Sequence, residues 1–260
     1  MGILMEEKSV GIYWDFENIH ASLYTSSHGT NSYGKNENRF TVQEPLVDVQ
    51  KIFDYAASFG NIVINKAYCN WQWFSRYRDS LLTNAVELIQ MFPPGSSAKN
   101  GADIKMSLDA VEDILRFSHI HYIVVVGGDS DFIPLAQKAK AAGRVVIGIG
   151  CEGSTNKYWA NNCNEFTYYE SLEGVEQNNL SDDAAPDRMI RQAIVQLSKK
   201  NGSPWVLKAA IRPLVKRLHP TFDEKSYGAS SFSDLLSRYD EQFAVQAGEY
   251  DHEVSIRKRS

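Results

Sequence analysis

The chain has 260 residues, enough for one large domain or for a medium unit followed by a small one. Hydrophobic residues make up 43% and charged residues 23%, ordinary for a soluble globular protein with a full core, and no apolar run approaches the ~18 residues of a membrane-spanning helix. The net charge of −5 argues against a uniformly nucleic-acid-binding surface, but residues 186–260 hold 13 Lys/Arg against 9 Asp/Glu while residues 1–185 hold 14 against 23. An acidic front and a mildly basic back imply two units with different partners. No apolar N-terminal stretch of signal-peptide type is seen, so a cytoplasmic location is expected.

Val10–Trp14 is an apolar run ending at Asp15 and reads as a buried strand. Residues 25–40 are rich in Ser, Asn and Gly and read as a long loop. Leu46, Val49, Phe53 and Ala56 repeat at helical spacing, with Gly60 as a stop. Ile62–Ile64 with Ala67–Tyr68 forms a second strand, residues 75–84 a helix, and Val86–Phe92 a third strand closed by Pro93-Pro94-Gly95. Residues 102–118 form a helix with Ile104, Leu108, Val111 and Leu115 on its apolar face. Then come the β-branched strand Tyr122–Val126, a helix over Phe132–Ala142, the strand Val145–Ile149, a short helix over 155–162 and the strand Phe166–Tyr169. Strands alternating with helices predict an α/β unit, a parallel sheet with helices on both faces. Residues 173–186 are acidic and nearly devoid of large apolar side chains, as in a linker. Beyond it, helices are expected around Met189–Leu197, over Trp205–Leu218 (with Pro213 a candidate kink) and over Ser231–Tyr239, and Phe243–Val245 can close a short ribbon.

Cys69, Cys151 and Cys163 lie at no metal-ligand or disulfide spacing and are expected to be idle thiols. Gly148–Gly153 matches a dinucleotide fingerprint, but such a fingerprint opens its fold at the first strand, where this chain has Trp14-Asp15. Trp71, Trp73, Phe74, Arg76, Tyr77 and Arg78 mix rings with basic groups; the rings either pack the core or stack bases.

The carboxylates carry the chemistry. In an open α/β sheet, ligands bind outside the carboxyl ends of the strands. Asp15 follows the first strand, Asp129 and Asp131 follow Tyr122–Val126 through Gly127-Gly128, and Asp103 starts a helix whose N-terminus points to the same edge. Crowded carboxylates repel and resist ionisation unless a cation sits among them. Mg²⁺ and Mn²⁺ take oxygen ligands and assist phosphodiester hydrolysis. Taken singly, Asp129 and Asp131 are equally helix caps and Asp103 is ordinary first-turn charge. Glu112 and Asp113 belong on a solvated face, and Asp109 stays open between that face and a supporting role at the site.

As a set, GIYWDFENIH (11–20), KNGADIKMSLDA (99–110), VVVGGDSDFIPLAQKAKAAG (124–143) and NEF (164–166) resemble the NYN family of PIN-like nucleases, LabA-type proteins included, over roughly residues 8–170. The resemblance implies a PIN-like, Rossmannoid fold and Mg²⁺- or Mn²⁺-dependent cleavage of RNA. It implies a site of Asp15, Asn18, Asp103, Asp129 and Asp131, the four acids on the metal. By the same reading Asn18 offers a neutral hydrogen bond to phosphate or water. Ser130 caps the helix starting at 131 or touches phosphate. Lys99 and Lys105 flank Asp103 and either meet substrate phosphates or neutralise nearby acids. The family often has an Asp before the last strand, where this chain has Asn164.

Residues 187–245 resemble the OST-HTH or LOTUS domain, through Gly202, Trp205-Val206 opening the second helix, His219-Pro220-x-Phe222-Asp223 and Tyr227-Gly228 before Phe232–Leu236. That implies a winged-helix-like α+β unit over 187–260 that binds RNA or a protein partner. The tail Arg257-Lys258-Arg259 is expected to be solvated. The leading expectation is a metal-dependent endoribonuclease acting on single-stranded RNA, with an accessory RNA-binding domain. The alternative is a non-catalytic RNA-binding regulator that keeps the acidic pocket. A phosphatase using the same carboxylates is a third, weaker reading, and whether two chains associate stays open.

Overall fold

The structure, a computed structural model, describes residues 8–92, 101–172, 185–219, 221–248 and 251–257. The expected turn at Pro93-Pro94-Gly95, Lys99, nearly all of the linker, and Lys258 and Arg259 lie outside the described residues. The chain divides into two compact units, Met1–Gly174 and Val175–Ser260. Among the described residues, no helix is long and apolar enough to cross a membrane.

In chain order the first unit comprises β1 (Ser9–Asp15), α1 (Phe16–His28), α2 (Asn36–Arg39), α3 (Val49–Ala57) and β2 (Asn61–Cys69), then α4 (Arg78–Thr83) and β3 (Glu87–Gln90). It continues with α5 (Gly101–Arg116), β4 (Ile120–Val126), α6 (Ile133–Ala141), β5 (Val145–Gly150), α7 (Lys157–Asn162) and β6 (Glu165–Tyr168). The six strands form one sheet in the order β3-β2-β1-β4-β5-β6, every pairing parallel. The chain winds outward from β1 to β3, crosses back, and winds outward again from β4. Its switch point is therefore the gap between the ends of β1 and β4.

Successive residues of the central strands feed opposite faces. Val10, Ile12 and Trp14 of β1 join Val124, Val126, Ile147 and Ile149 in a core covered by Ile19 of α1 and Ile52 and Ala56 of α3. Tyr13 joins Ile123, Val125 and Val146 in a second core, covered by Met106, Ala110 and Ile114 of α5, Leu135, Ala136 and Ala139 of α6, and Trp159 of α7. Every residue of β1 is buried, so this strand gains its stability from both layers.

The structure differs from the sequence expectation in four places. The segment read as a loop from 25 to 40 is shorter, because α1 runs on to His28 and α2 occupies Asn36–Arg39. The face of α5 is turned around: Met106, Ala110 and Ile114 meet the core, while Ile104, Leu108 and Leu115 are 60%, 63% and 77% exposed. Asp113, expected in solvent, is buried and accepts hydrogen bonds from Tyr13 Oη at 3.0 Å and Lys66 Nζ at 2.7 Å. Those partners explain the rotation, because the sheet offers α5 polar groups where its acids lie. Finally, Trp205-Val206 opens no helix: Val206 starts a strand instead.

The second unit is α8 (Pro186–Asn201), β7 (Val206–Leu207), α9 (Lys208–Leu218), α10 (Phe232–Ser237), β8 (Phe243–Ala247) and β9 (His252–Ile256). Its antiparallel sheet has the order β7-β9-β8, with β8 and β9 forming the ribbon. Gly202, at φ 64°, ends α8 in the left-handed conformation that glycine adopts without strain. Pro213 sits inside α9 without ending it. Arg212 of α9 donates to buried Glu224, in a bidentate pair that ties α9 to the turn before α10.

Candidate functional site

The site begins where β1 stops. Asp15 is 7% exposed and caps α1, its Oδ1 accepting from Asn18 N at 3.2 Å. Trp14 pairs in register with Val126, so the loop leaving β4 passes directly beside Asp15. Glycine is needed for that approach. A Cβ on Gly127 would lie 2.8 Å from the ring of Phe132 and 3.3 Å from Asp15 Cβ, and one on Gly128 would lie 3.1 Å from Thr155. The loop is fixed from behind by Trp159 Nε1 donating to Gly127 O at 3.0 Å and Asn156 N donating to Gly128 O at 2.8 Å. Asn18 fixes it from the front, its Oδ1 accepting from Gly128 N at 3.1 Å.

Asp129 follows and caps the turn of Ser130–Phe132, accepting from Asp131 N at 3.3 Å. Ser130 is therefore not the cap; its hydroxyl donates to Asp129 Oδ1 at 3.3 Å. Asp131 is exposed and Asp129 half-buried. Asp103, in the first turn of α5, reaches within hydrogen-bonding distance of the Asp15 carboxyl.

Burial pushes the Asp15 carboxyl well above the usual carboxylate range, and Asp103 and then Glu17 push it further up, against the Asn18 amide that favours its anion. Burial likewise raises Asp103; its hydrogen bond with Asp15 works against this, and the charges of Asp129, Asp131 and Glu17 add to the rise. Two carboxyls in contact cannot both be bare anions. Desolvation and the hydrogen bond between them favour one proton shared by the two carboxyls, and a cation bound there would displace that proton by offsetting their charge.

Lys105 is directed to Asp109, at 2.5 Å, and Asp109 also accepts from Tyr68 Oη at 2.9 Å. Of the candidate residues, then, Asp15, Asn18, Asp103, Asp129, Ser130 and Asp131 come together at the switch point, while Lys105 neutralises an acid on its own helix. Glu17 was not anticipated. It adds negative charge to the cluster and is held by Arg39 Nε at 2.7 Å and Tyr33 Oη at 3.3 Å. The Asp-Phe-Glu run at 15–17 was its available signal, but its partners sit in the segment read as loop. Asn164 lies at the far end of the sheet, bonded through Oδ1 to Val146 N at 2.9 Å near the start of β5. An acid there would not reach the cluster.

The remaining signals are structural. Phe74 and Tyr77 are buried, and the Trp71 ring lies 5.0 Å from that of Phe16. A Cβ on Gly148 would lie 2.5 Å from Phe166 and 2.7 Å from Cys163 Sγ, so close packing rather than a nucleotide explains that glycine. The three cysteines are free thiols.

The donor set is all oxygen and suits a hard cation. Among the described residues, no three acids, histidines or cysteines stand as a ready-made cage. An Asp15–Asp103 pair with two further acids within electrostatic reach fits an ion that keeps most of its waters, as Mg²⁺ does.

The model of the NYN domain matches residues 9–172, and that of the OST-HTH/LOTUS domain matches residues 183–254. An uncharacterized protein of Methanocaldococcus jannaschii is 38% identical over 106 residues, which are 41% of this chain and 41% of that protein. The crystal structure of a protein of unknown function from Vibrio parahaemolyticus superposes with a TM-score of 0.50 at 18% identity, covering 66% of this chain and 98% of that one. That likeness concerns the fold.

Proposed function

Because the chain belongs to the NYN domain family, with an OST-HTH/LOTUS domain behind it, we propose that it is a divalent-metal-dependent endoribonuclease whose C-terminal unit binds RNA. The observation that carries this reading is the approach of the Asp15 and Asp103 carboxyls at the switch point of the sheet, within the field of Asp129 and Asp131. In this reading Asp15, Asp103, Asp129 and Asp131 hold Mg²⁺ or Mn²⁺. When bound, such an ion supplies Lewis acidity, offsetting charge on a phosphodiester and making water a stronger acid.

The chain's own groups set up the rest. Asn18 locks the glycine loop so that Asp129 keeps its distance from Asp15. Ser130 donates to Asp129 and keeps its hydroxyl oxygen able to accept from substrate or water. Arg39 offsets Glu17 and limits the negative potential that an incoming RNA phosphate meets. Lys99 is proposed to steer phosphates toward the cleft, while Lys105 is engaged by Asp109.

The test is cleavage of single-stranded RNA with Mn²⁺ or Mg²⁺. Wild-type protein should cut, Asp129→Asn should not, and both should give the same circular dichroism. If a panel of RNAs survives the wild-type protein with Mn²⁺, the enzyme reading fails. A second reading is a regulator that keeps the acidic pocket and holds RNA without cutting it. RNA affinity unchanged by EDTA, with no cleavage products, would select it.

A further inference from the structure

The turned face of α5 leaves an apolar seam in solvent. Ile104, Leu108 and Leu115 are mostly exposed, Val111 lies between them half-buried with one side against the second core, and Leu108, Val111, Glu112, Leu115 and Arg116 line an open groove. The spacing is 4-3-4, the d-a-d-a pattern of a two-stranded coiled coil. It is also a palindrome. Turned end over end, the seam maps onto itself, Ile104 onto Leu115 and Leu108 onto Val111. A surface of that kind is complementary to its own copy about a two-fold axis.

The charges agree with this pairing. The outer flanking positions of the two heptads are Lys105 and Glu112, both exposed. In an antiparallel pair they face each other across the seam, Lys105 of each copy beside Glu112 of the other. Lys105 already bonds Asp109 within its own helix, and an ammonium has donors for a second carboxylate. The inner flank, at Ser107 and Ile114, is turned toward the domain body, with Ile114 buried. One side of the seam is thus closed by the molecule and the other carries complementary charge.

We propose that α5 is the self-association surface of this protein, packing antiparallel against α5 of a second copy. Ile104 meets Leu115 of the other copy and Leu108 meets Val111, in four a–d layers. With ~1.5 Å of rise per residue, the two Asp103 residues come to lie on the order of 20 Å apart along the helix axis. Four layers fall short of the roughly 1,600 Å² of a standard interface, so the association is expected to be weak and concentration-dependent.

Sedimentation equilibrium of the full chain tests this. The apparent mass should rise from 29.3 kDa toward twice that value with concentration. Leu108→Glu should hold it at the monomer value, with an unchanged melting profile because the side chain is exposed. Glu112→Lys should weaken association at least tenfold by setting lysine against lysine, and Lys105→Glu with Glu112→Lys should restore it. A mass that stays monomeric up to about 1 mM overturns the proposal. So does a dimer indifferent to Leu108→Glu, which would place the contact elsewhere. Protection of a Leu108→Cys thiol from maleimide in the monomer would also overturn it, by showing that the chain covers its own seam.

Discussion

Gly127→Ala probes the contact on which the acidic cleft depends. The added methyl would sit 2.8 Å from Phe132 Cε2 on one side and 3.3 Å from Asp15 Cβ on the other. An ordinary carbon–carbon contact is roughly 3.5–4.0 Å. Phe132 is fully buried against Trp159, their centroids 5.7 Å apart, so it cannot rotate away. The relief must come from the loop moving off Asp15, and overpacking of this kind costs about 1–3 kcal/mol. For a unit of this size, each kcal/mol lowers Tm by ~2–4 °C. Differential scanning calorimetry would measure that loss, and RNA cleavage should fall more than the fraction of folded protein does, because Asp129 moves away from Asp15. Gly153→Ala is the control, since nothing lies within 4 Å of a Cβ there. If Gly127→Ala melts within a degree of the wild type, or if Gly153→Ala loses as much, the close-approach argument is wrong.

Asp113→Ala removes the carboxylate shared by Tyr13 and Lys66 and should cost about 3 kcal/mol in urea unfolding, whereas Glu112→Ala on the exposed side of α5 should change stability by less than ~0.5 kcal/mol. Asp15→Asn replaces a buried carboxyl that must take up a proton with a neutral group of the same shape, so in EDTA it should be more stable than the wild type by about 1 kcal/mol; Mn²⁺ should raise the Tm of the wild type and leave the variant unmoved. His20 is buried, bonded to Tyr77 Oη at 2.9 Å and Gln43 Oε1 at 3.0 Å, and burial lowers its pKa. The unfolded chain therefore takes up this proton before the native one does. Stability should fall as pH drops below the ordinary histidine value of ~6.5, with a slope up to ~1.4 kcal/mol per pH unit that His20→Asn abolishes. Asn164→Asp should leave cleavage unchanged, because its place beside Val146 is at the far end of β5; a gain in activity would put residue 164 at the site after all.

The sheet was legible because its strands are apolar runs cut by Gly and Asp, and a doubly covered strand such as Val10–Trp14 has little other use. The cleft was legible for a topological reason: strand ends at a switch point converge whatever the loops do. What escaped the sequence depended on partners far along the chain. Helix α1 was missed since its stretch from Ser22 to His28 is weakly helical on its own; Asp15 starts it, and Ile19 and His20 anchor it in the core. Nothing near Glu17 announces Arg39, twenty-two residues on. On α5 the apolar face at 104, 108, 111 and 115 was the stronger pattern. It lost because Tyr13, Lys66 and Tyr68 on the sheet take up Asp113 and Asp109. Strand β7 was missed because two residues make no period, and only β9, almost fifty residues later, defines it.

The bonds that set the face of α5 also set the angle at which its first turn meets the sheet. Asp113 is held by Tyr13 of β1 and Lys66 of β2, and Asp109 by Tyr68 of β2, so two rungs of polar contact fix the helix about its own axis. Asp103 lies on the same helix, roughly one and a half turns before Asp109, and shares that fixed bearing toward Asp15. Groups that make no contact with the cleft are thus its foundation.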